Sequence, residues 1–252
     1  MTDFMDIINR CTSGLLRTAT DCSPETPVTT CGAWTMSDLV GHLTTVQFRA
    51  IGRIGQSSEI ATPLALPTNY SELIDLGYKT LQNFDESFGS LAGDAPCWNW
   101  TGSNQNVGWM RRRQAHESTI HFYDALHAVG NAALPNWASS GGIDQPLAAD
   151  GIREFMEVFL PRVNQKKELP NLGSLHIHAT DGPATSEWYI SMDPDGKLAA
   201  VEGHQKADTV IRGSASDILL WIWGRREPIA QNDLEKFGDL EAISAWRTAF
   251  SI

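Results

Sequence analysis

Apolar positions in the first half of the chain recur with helical spacing. Ile8, Cys11, Leu15 and Ala19 fall three or four residues apart and predict a helix from about Met5 to Ala19. Pro24 and Pro27 end this helical pattern. Thr35 then reads as an N-cap with Asp38 as its capping partner. The helix it opens carries Leu39, Val40, Leu43, Val46, Ala50 and Ile51 on one face. A loop containing Pro63 and Pro67 leads to a third helix, from about Ser71 to Phe88, with Leu73, Ile74, Leu81, Phe84 and Phe88 inward. Residues 89–106 are rich in Gly, Asn and Trp and predict a loop, and a fourth helix runs from about Val107 to Ala128. Four helices joined this way predict an all-α four-helix bundle over residues 1–145.

The pattern changes after Gly130. Residues Asn131 to Pro146 are rich in Ala, Pro, Ser and Gly and predict a connector. A helix is expected from about Asp150 to Val163. Leu175 to Thr180 alternates with period two, Glu187 to Met192 reads as a second strand, and Asp193-Pro194-Asp195-Gly196 as the turn after it. Ala207 to Gly213 predicts another strand. Ser214 caps a helix through Ile218, Leu219, Trp221 and Ile222 to Gly224, and a last helix covers about Leu240 to Phe250. Residues 146–252 therefore predict a small α+β domain with an antiparallel sheet.

Composition narrows the function classes. The net charge of -11 opposes nucleic acid and anionic membranes. No apolar run approaches the roughly 20 residues needed to cross a bilayer. The segment Met1 to Asp6 is acidic and lacks the basic start and apolar core of a signal peptide, so a cytoplasmic protein is expected. Cys11, Cys22, Cys31 and Cys97 form no Cys-x-x-Cys pair and predict free, inert thiols in a reducing compartment.

The chemistry concentrates in the fourth helix. Glu117 and His121 are four residues apart and share a face, with Asp124 on the same stripe. A carboxylate and an imidazole placed this way clamp a divalent metal such as zinc, and His42 on the second helix supplies a third donor. The plain alternatives are a solvated ion pair for Glu117 and His121 and a satisfied core imidazole for His42. His116 lies about 140° around the helix from His121 and is not expected to join them. Nor is this a His-Glu-x-x-His motif, since three residues separate Glu117 from His121. Asp124 reads either as an orienter of His121 or a metal-bound water, or as a surface carboxylate. His127 lies off the stripe. Arg111, Arg112 and Arg113 read as charge balance on an acidic protein, or as contacts to an anion. Arg225 reads equally as a substrate-carboxylate fork and as a cation satisfying helix-end carbonyls. Trp98, Trp100 and Trp109 cluster near the start of the fourth helix and read as core, or as the wall of a pocket.

Two stretches, Trp34-Thr35-Met36-Ser37-Asp38-Leu39-Val40-Gly41-His42-Leu43 and Arg113-Gln114-Ala115-His116-Glu117-Ser118-Thr119-Ile120-His121-Phe122-Tyr123-Asp124-Ala125, resemble the N-terminal domain of the mycothiol-dependent maleylpyruvate isomerases, a DinB-like bundle. His178-Ala179-Thr180-Asp181, Ala207-Asp208, Arg212-Gly213-Ser214-Ala215-Ser216-Asp217 and Leu219-Leu220-Trp221-Ile222-Trp223-Gly224-Arg225 resemble the sterol-carrier-like C-terminal domain of the same family. The resemblance spans nearly the whole chain in order. It implies a divalent metal, usually zinc, held by His42, Glu117 and His121, and mycothiol as thiol cosubstrate. The residues that bind the thiol are not marked.

The implied reaction is cis-trans isomerisation of a maleylpyruvate-type acid. A thiolate adds to the activated alkene, the new single bond rotates, and expulsion of the thiolate leaves the trans product. Arg225 and Asp124 are the expected catalytic residues beside the metal ligands. A second reading is mycothiol S-transfer to an electrophile. A third is a non-enzymatic metal or ligand carrier, with Ile211, Ile218, Leu219 and Trp221 lining a cavity. The expected partners are a small-molecule substrate and a low-molecular-weight thiol, with no nucleic acid and no membrane, for a monomer or homodimer.

Overall fold

The computed structural model describes residues 3–59, 63–130, 143–166, 169–181, 186–225 and 234–251. The chain divides into two compact units, Met1–Gly142 and Ile143–Ile252. Most of the expected connector, residues 131–142, lies outside the described residues.

The first unit is built on four long helices: α1 (Phe4–Thr20), α2 (Met36–Gly52), α3 (Tyr70–Gly89) and α4 (Val107–Ala128). Each begins at a side chain that accepts backbone N–H groups left unpaired by the first turn: Asp3, Thr35, Asn69 and Asn106. At Thr35 the capping box is complete, because Asp38 returns a hydrogen bond to the cap's own N–H. α1 packs on α4 and α3, and α2 on α3 and α4. The α1–α4 contact is close at Gly14, where a Cβ would lie 2.6 Å from the Phe122 ring. The expected inward face of α3 is buried, and Phe84 stacks on Phe88 at 4.2 Å. Helix α4 differs from the others. Its buried set includes Arg113, Gln114, His116, Ser118, Thr119, His121 and Asp124, so polar side chains line the centre of the unit.

A chain of polar contacts crosses that centre. Gln47 Nε2 on α2 donates to Thr12 Oγ1 on α1 (2.7 Å), and Thr12 Oγ1 donates to Ser118 Oγ on α4 (3.2 Å). Cys11 Sγ lies 3.7 Å from Thr119 Oγ1.

The second unit opens with a helical run that starts earlier than expected. α5 (Gln145–Glu154) is capped by Asp144, which accepts from Leu147 N at 2.9 Å. Pro146 sits in the first turn, where its missing N–H costs nothing, so the Pro-rich segment that reads as connector is partly a helix start. A π-helical turn comes next at Phe155–Phe159 and passes into α6 (Leu160–Lys166). Pro161 accounts for it: with no N–H to offer and a ring that crowds the preceding turn, proline forces the ladder to widen there.

The sheet has five strands, β1 (Ser174–Ala179), β2 (Glu187–Met192), β3 (Leu198–Glu202), β4 (Thr209–Gly213) and β5 (Leu234–Phe237), in the order β3-β2-β1-β4-β5. It is mostly antiparallel, as the sequence predicts, with β1 and β4 paired in parallel. Helices α7 (Ala215–Ile222) and α8 (Leu240–Phe250) complete the unit. Asp181 accepts from Ala215 N (2.8 Å) and Ser214 caps α7. Asp208 staples the starts of β1 and β4 by accepting from Ser174 N (2.9 Å) and Ser174 Oγ (2.7 Å). Leu175, Ile177, Ile190 and Ile211 form one buried sheet face, against which α7 packs. Ile211, Ile218, Leu219 and Trp221 belong to this core, each at most 1% exposed, and do not line an open cavity as the carrier reading expects. No helix among the described residues is long and apolar enough to cross a membrane.

Candidate metal centre

His42 comes from the middle of α2, and Glu117 and His121 from successive turns of α4, which packs against it. The structure brings their donor atoms to within 4.8 Å of one another. Glu117 Oε1 is the meeting point: His42 Nε2 lies 2.9 Å from it and His121 Nε2 3.4 Å. The two imidazole centroids are 4.8 Å apart, and the Trp34 ring packs 4.8 Å from His42 and 6.1 Å from His121. The His121 side chain is 9% exposed, that of Glu117 19% and that of His42 32%, so His42 is the most open of the three to solvent.

Two buried neighbours set the charge and proton positions. Arg113, 4% exposed, lies one turn before Glu117 and donates to its other oxygen, Oε2, at 2.5 Å. Burial alone would raise the Glu117 carboxyl, but the Arg113 guanidinium and the hydrogen bonds to His121 and His42 outweigh it and hold the group well below its ordinary value. Asp124 is fully buried and its Oδ2 lies 2.9 Å from His121 Nδ1. A proton held on Nδ1 by that carboxylate leaves the Nε2 lone pair directed at Glu117 and His42. Burial would lower His121, yet the contacts with Asp124, Cys31 and Glu117 raise it well above the ordinary value of an imidazole. The same concentration of negative charge that retains a proton also favours a cation.

Two members of this site are not settled by the sequence alone. Arg113 sits among Arg111 and Arg112, which read as charge balance or as contacts to an anion; it is buried against the Glu117 carboxylate, as the second reading has it, while Arg111 donates to the carbonyls of Phe88 and Leu91. The signal was its position one turn before a candidate ligand. Cys31, expected to be inert, donates from Sγ to Asp124 Oδ2 at 3.1 Å, and with His121 and Asp124 forms a second trio of donors beside the first. It comes from the short turn Thr29–Cys31, which no helical spacing connects to α4. Cys11 and Cys97 are buried, and burial raises both thiols, Cys97 to about 11.

The remaining expected residues fall elsewhere. His116 is buried next to Phe4 on another side of α4, and His127 lies beside Tyr123. Trp100 and Trp109 pack edge to face at 5.2 Å, and the Arg53 guanidinium lies over Trp98 and Trp100. Arg225 belongs to the second unit, where its Nη1 donates to the Trp223 carbonyl at 2.8 Å, the helix-end role that the sequence leaves open.

Comparison with known proteins gives this geometry its family. The model described as the mycothiol maleylpyruvate isomerase N-terminal domain matches residues 8–126, and that of the MDMPI C-terminal domain matches residues 146–245. The chain belongs to the mycothiol maleylpyruvate isomerase family. Two solved structures share the fold. One is a mycothiol-dependent maleylpyruvate isomerase, at a TM-score of 0.60 and 14% identity over 95% of this chain and 98% of that one. The other is a histidine-to-alanine mutant under the same name, at 0.60 and 13% over the same shares. No curated protein sequence matches the chain.

The mycothiol maleylpyruvate isomerase family implies a divalent metal, and the residues present fit one. Two imidazole nitrogens and a carboxylate oxygen suit zinc and its neighbours. The buried Asp124 partner on His121 Nδ1 is the support that metal-binding imidazoles characteristically have.

Proposed function

We propose that the chain is a metal-dependent, mycothiol-dependent isomerase of a maleylpyruvate-type unsaturated acid. The observation that carries the reading is the convergence of His42, Glu117 and His121 from two helices on one point, with His42 the most exposed of the three. A divalent cation held there supplies a Lewis acid that lowers the pKa of an incoming thiol, which free in water is mostly protonated at neutral pH.

The chain's own residues prepare that point. Arg113 keeps Glu117 ionised, so the site presents a full negative charge. Asp124 fixes the His121 ring and its tautomer. Trp34 covers the imidazoles and limits water. The mycothiol thiolate adds to the alkene carbon, forming a C–S bond and an enolate. Rotation about the former double bond and expulsion of the same thiolate then return the thiol unchanged.

The test compares the full-length protein with its His42→Ala variant, using mycothiol and maleylpyruvate. The expected result is loss of the zinc bound between α2 and α4 and at least a 100-fold fall in thiol-dependent turnover, with the helical content retained. Undiminished zinc and turnover in His42→Ala would end the proposal. A stable adduct with mycothiol in the mass spectrum, in place of an isomer of unchanged mass, would move the assignment to an S-transferase.

A further inference from the structure

A second set of donors lies in the C-terminal unit, on the sheet face opposite Leu175, Ile177 and α7. His176 and His178 alternate along β1 and so share that face, and Glu187 on β2 is the register partner of His178. His204 arrives from the loop after β3. The four donor atoms lie within 4.8 Å of one another.

We propose that His176, His178, Glu187 and His204 form a second divalent-metal site, one that takes a zinc-like cation and fastens the loop between β3 and β4 to the sheet. The proposal stands apart from the assignment of an isomerase, since it uses no residue of α2 or α4.

The geometry centres on one atom. Glu187 Oε2 lies 2.9 Å from His176 Nε2, 2.7 Å from His204 Nδ1 and 3.7 Å from His178 Nδ1. His176 and His204 are at hydrogen-bond distance from this oxygen, while His178, at 3.7 Å, is not bonded to it. Around a tetrahedral zinc with bonds of about 2.0 Å, donor atoms sit roughly 3.3 Å apart, and the three distances straddle that value. The rings are already arranged about a common point, with centroids 4.8 Å apart for His176 and His204 and 5.9 Å for His176 and His178. His176 is 3% exposed, so the packing around it holds its ring against Glu187. The nearby cation Arg212, the register partner of His178 on β4, is neutralised by Glu235 at 2.7 and 2.8 Å. Three imidazoles and a carboxylate fill a tetrahedral shell. That is the pattern of a site that holds structure in place, in contrast to the three-donor cluster on α2 and α4.

His178 and His204 have side chains 30% and 74% exposed, so replacing both leaves the core intact. The experiment uses tag-free, full-length protein stripped with a chelator and titrated with zinc chloride. Wild type is expected to bind two equivalents, and His42→Ala and His178→Ala/His204→Ala one each. In the His42→Ala background, adding the second pair of substitutions is expected to weaken the remaining zinc at least 100-fold. Zinc should also slow hydrogen exchange of the 203–208 amides in His42→Ala but not in the triple variant. Equal stoichiometry in wild type and His178→Ala/His204→Ala, or no zinc bound by His42→Ala, overturns the proposal, as does zinc binding without protection of that loop. One equivalent, kept by His42→Ala and lost in His178→Ala/His204→Ala, supports this site and counts instead against the ligands assigned on α2 and α4.

Discussion

Asp124 shows how much one buried carboxylate decides. It touches no ligand position directly except through His121 Nδ1, yet it selects which nitrogen of that ring faces Glu117. Asp124→Asn keeps the size of the side chain and removes the charge, and its amide can donate where the carboxylate accepts. We expect zinc affinity to fall about 10- to 100-fold with the fold unchanged, read by competition against a chromophoric chelator alongside circular dichroism. Wild-type affinity in Asp124→Asn would show that the ring is oriented by its packing alone. At this scale the sequence was legible where spacing does the work: Glu117, His121 and Asp124 lie on one stripe because a helix places them there. It was not legible where the partner comes from afar. Cys31 reaches Asp124 from a turn, whereas Arg113 is marked only by its place one turn before Glu117. His176 and His178 were visible as alternation, but their convergence with Glu187 and His204 depends on strand register and on a loop.

Helix α1 meets α4 without room to spare. A methyl group at Gly14 would enter the Phe122 ring, so Gly14→Ala must push two helices apart or turn the ring from its rotamer. The higher helix propensity of alanine returns only about 1 kcal/mol, and overpacking costs typically 1–3 kcal/mol. Net destabilisation of up to about 2 kcal/mol is expected in urea unfolding, and a stabilised variant would refute the steric argument. The start of α2 was legible because a capping side chain is local chemistry, Thr35 paired with Asp38. The start of α5 was not, since Pro146 signals both a loop and a first helical turn, and Asp144 as cap decides between them. Strand β5 carries only four residues, with Phe237 half exposed, too short for its alternation to register.

At the scale of the molecule, a helical unit and an α+β unit were both legible from the change of period along the chain. The parallel pairing of β1 with β4 was not, because strand order is a property of the whole sheet. Acid stability ought to report on that pairing through Asp208. The Ser174 hydroxyl and backbone N–H bonded to Asp208 hold its carboxyl below the ordinary value. A group whose folded value is depressed contributes stability above its unfolded pKa of about 3.9, and that contribution is lost as pH falls through the lower folded value. Asp208→Asn is therefore expected to flatten the decline in melting temperature below about pH 4, and an unaltered acid limb would refute this. The polar contacts between Gln47, Thr12 and Ser118 carry a different consequence. Helices joined only by oily surfaces can slide or rotate past one another at small cost, whereas hydroxyls and amides keyed across the interior match in a single alignment. That alignment sets the spacing of α2 against α4. Exposed loop positions can therefore vary in sequence while His42 keeps its distance from Glu117.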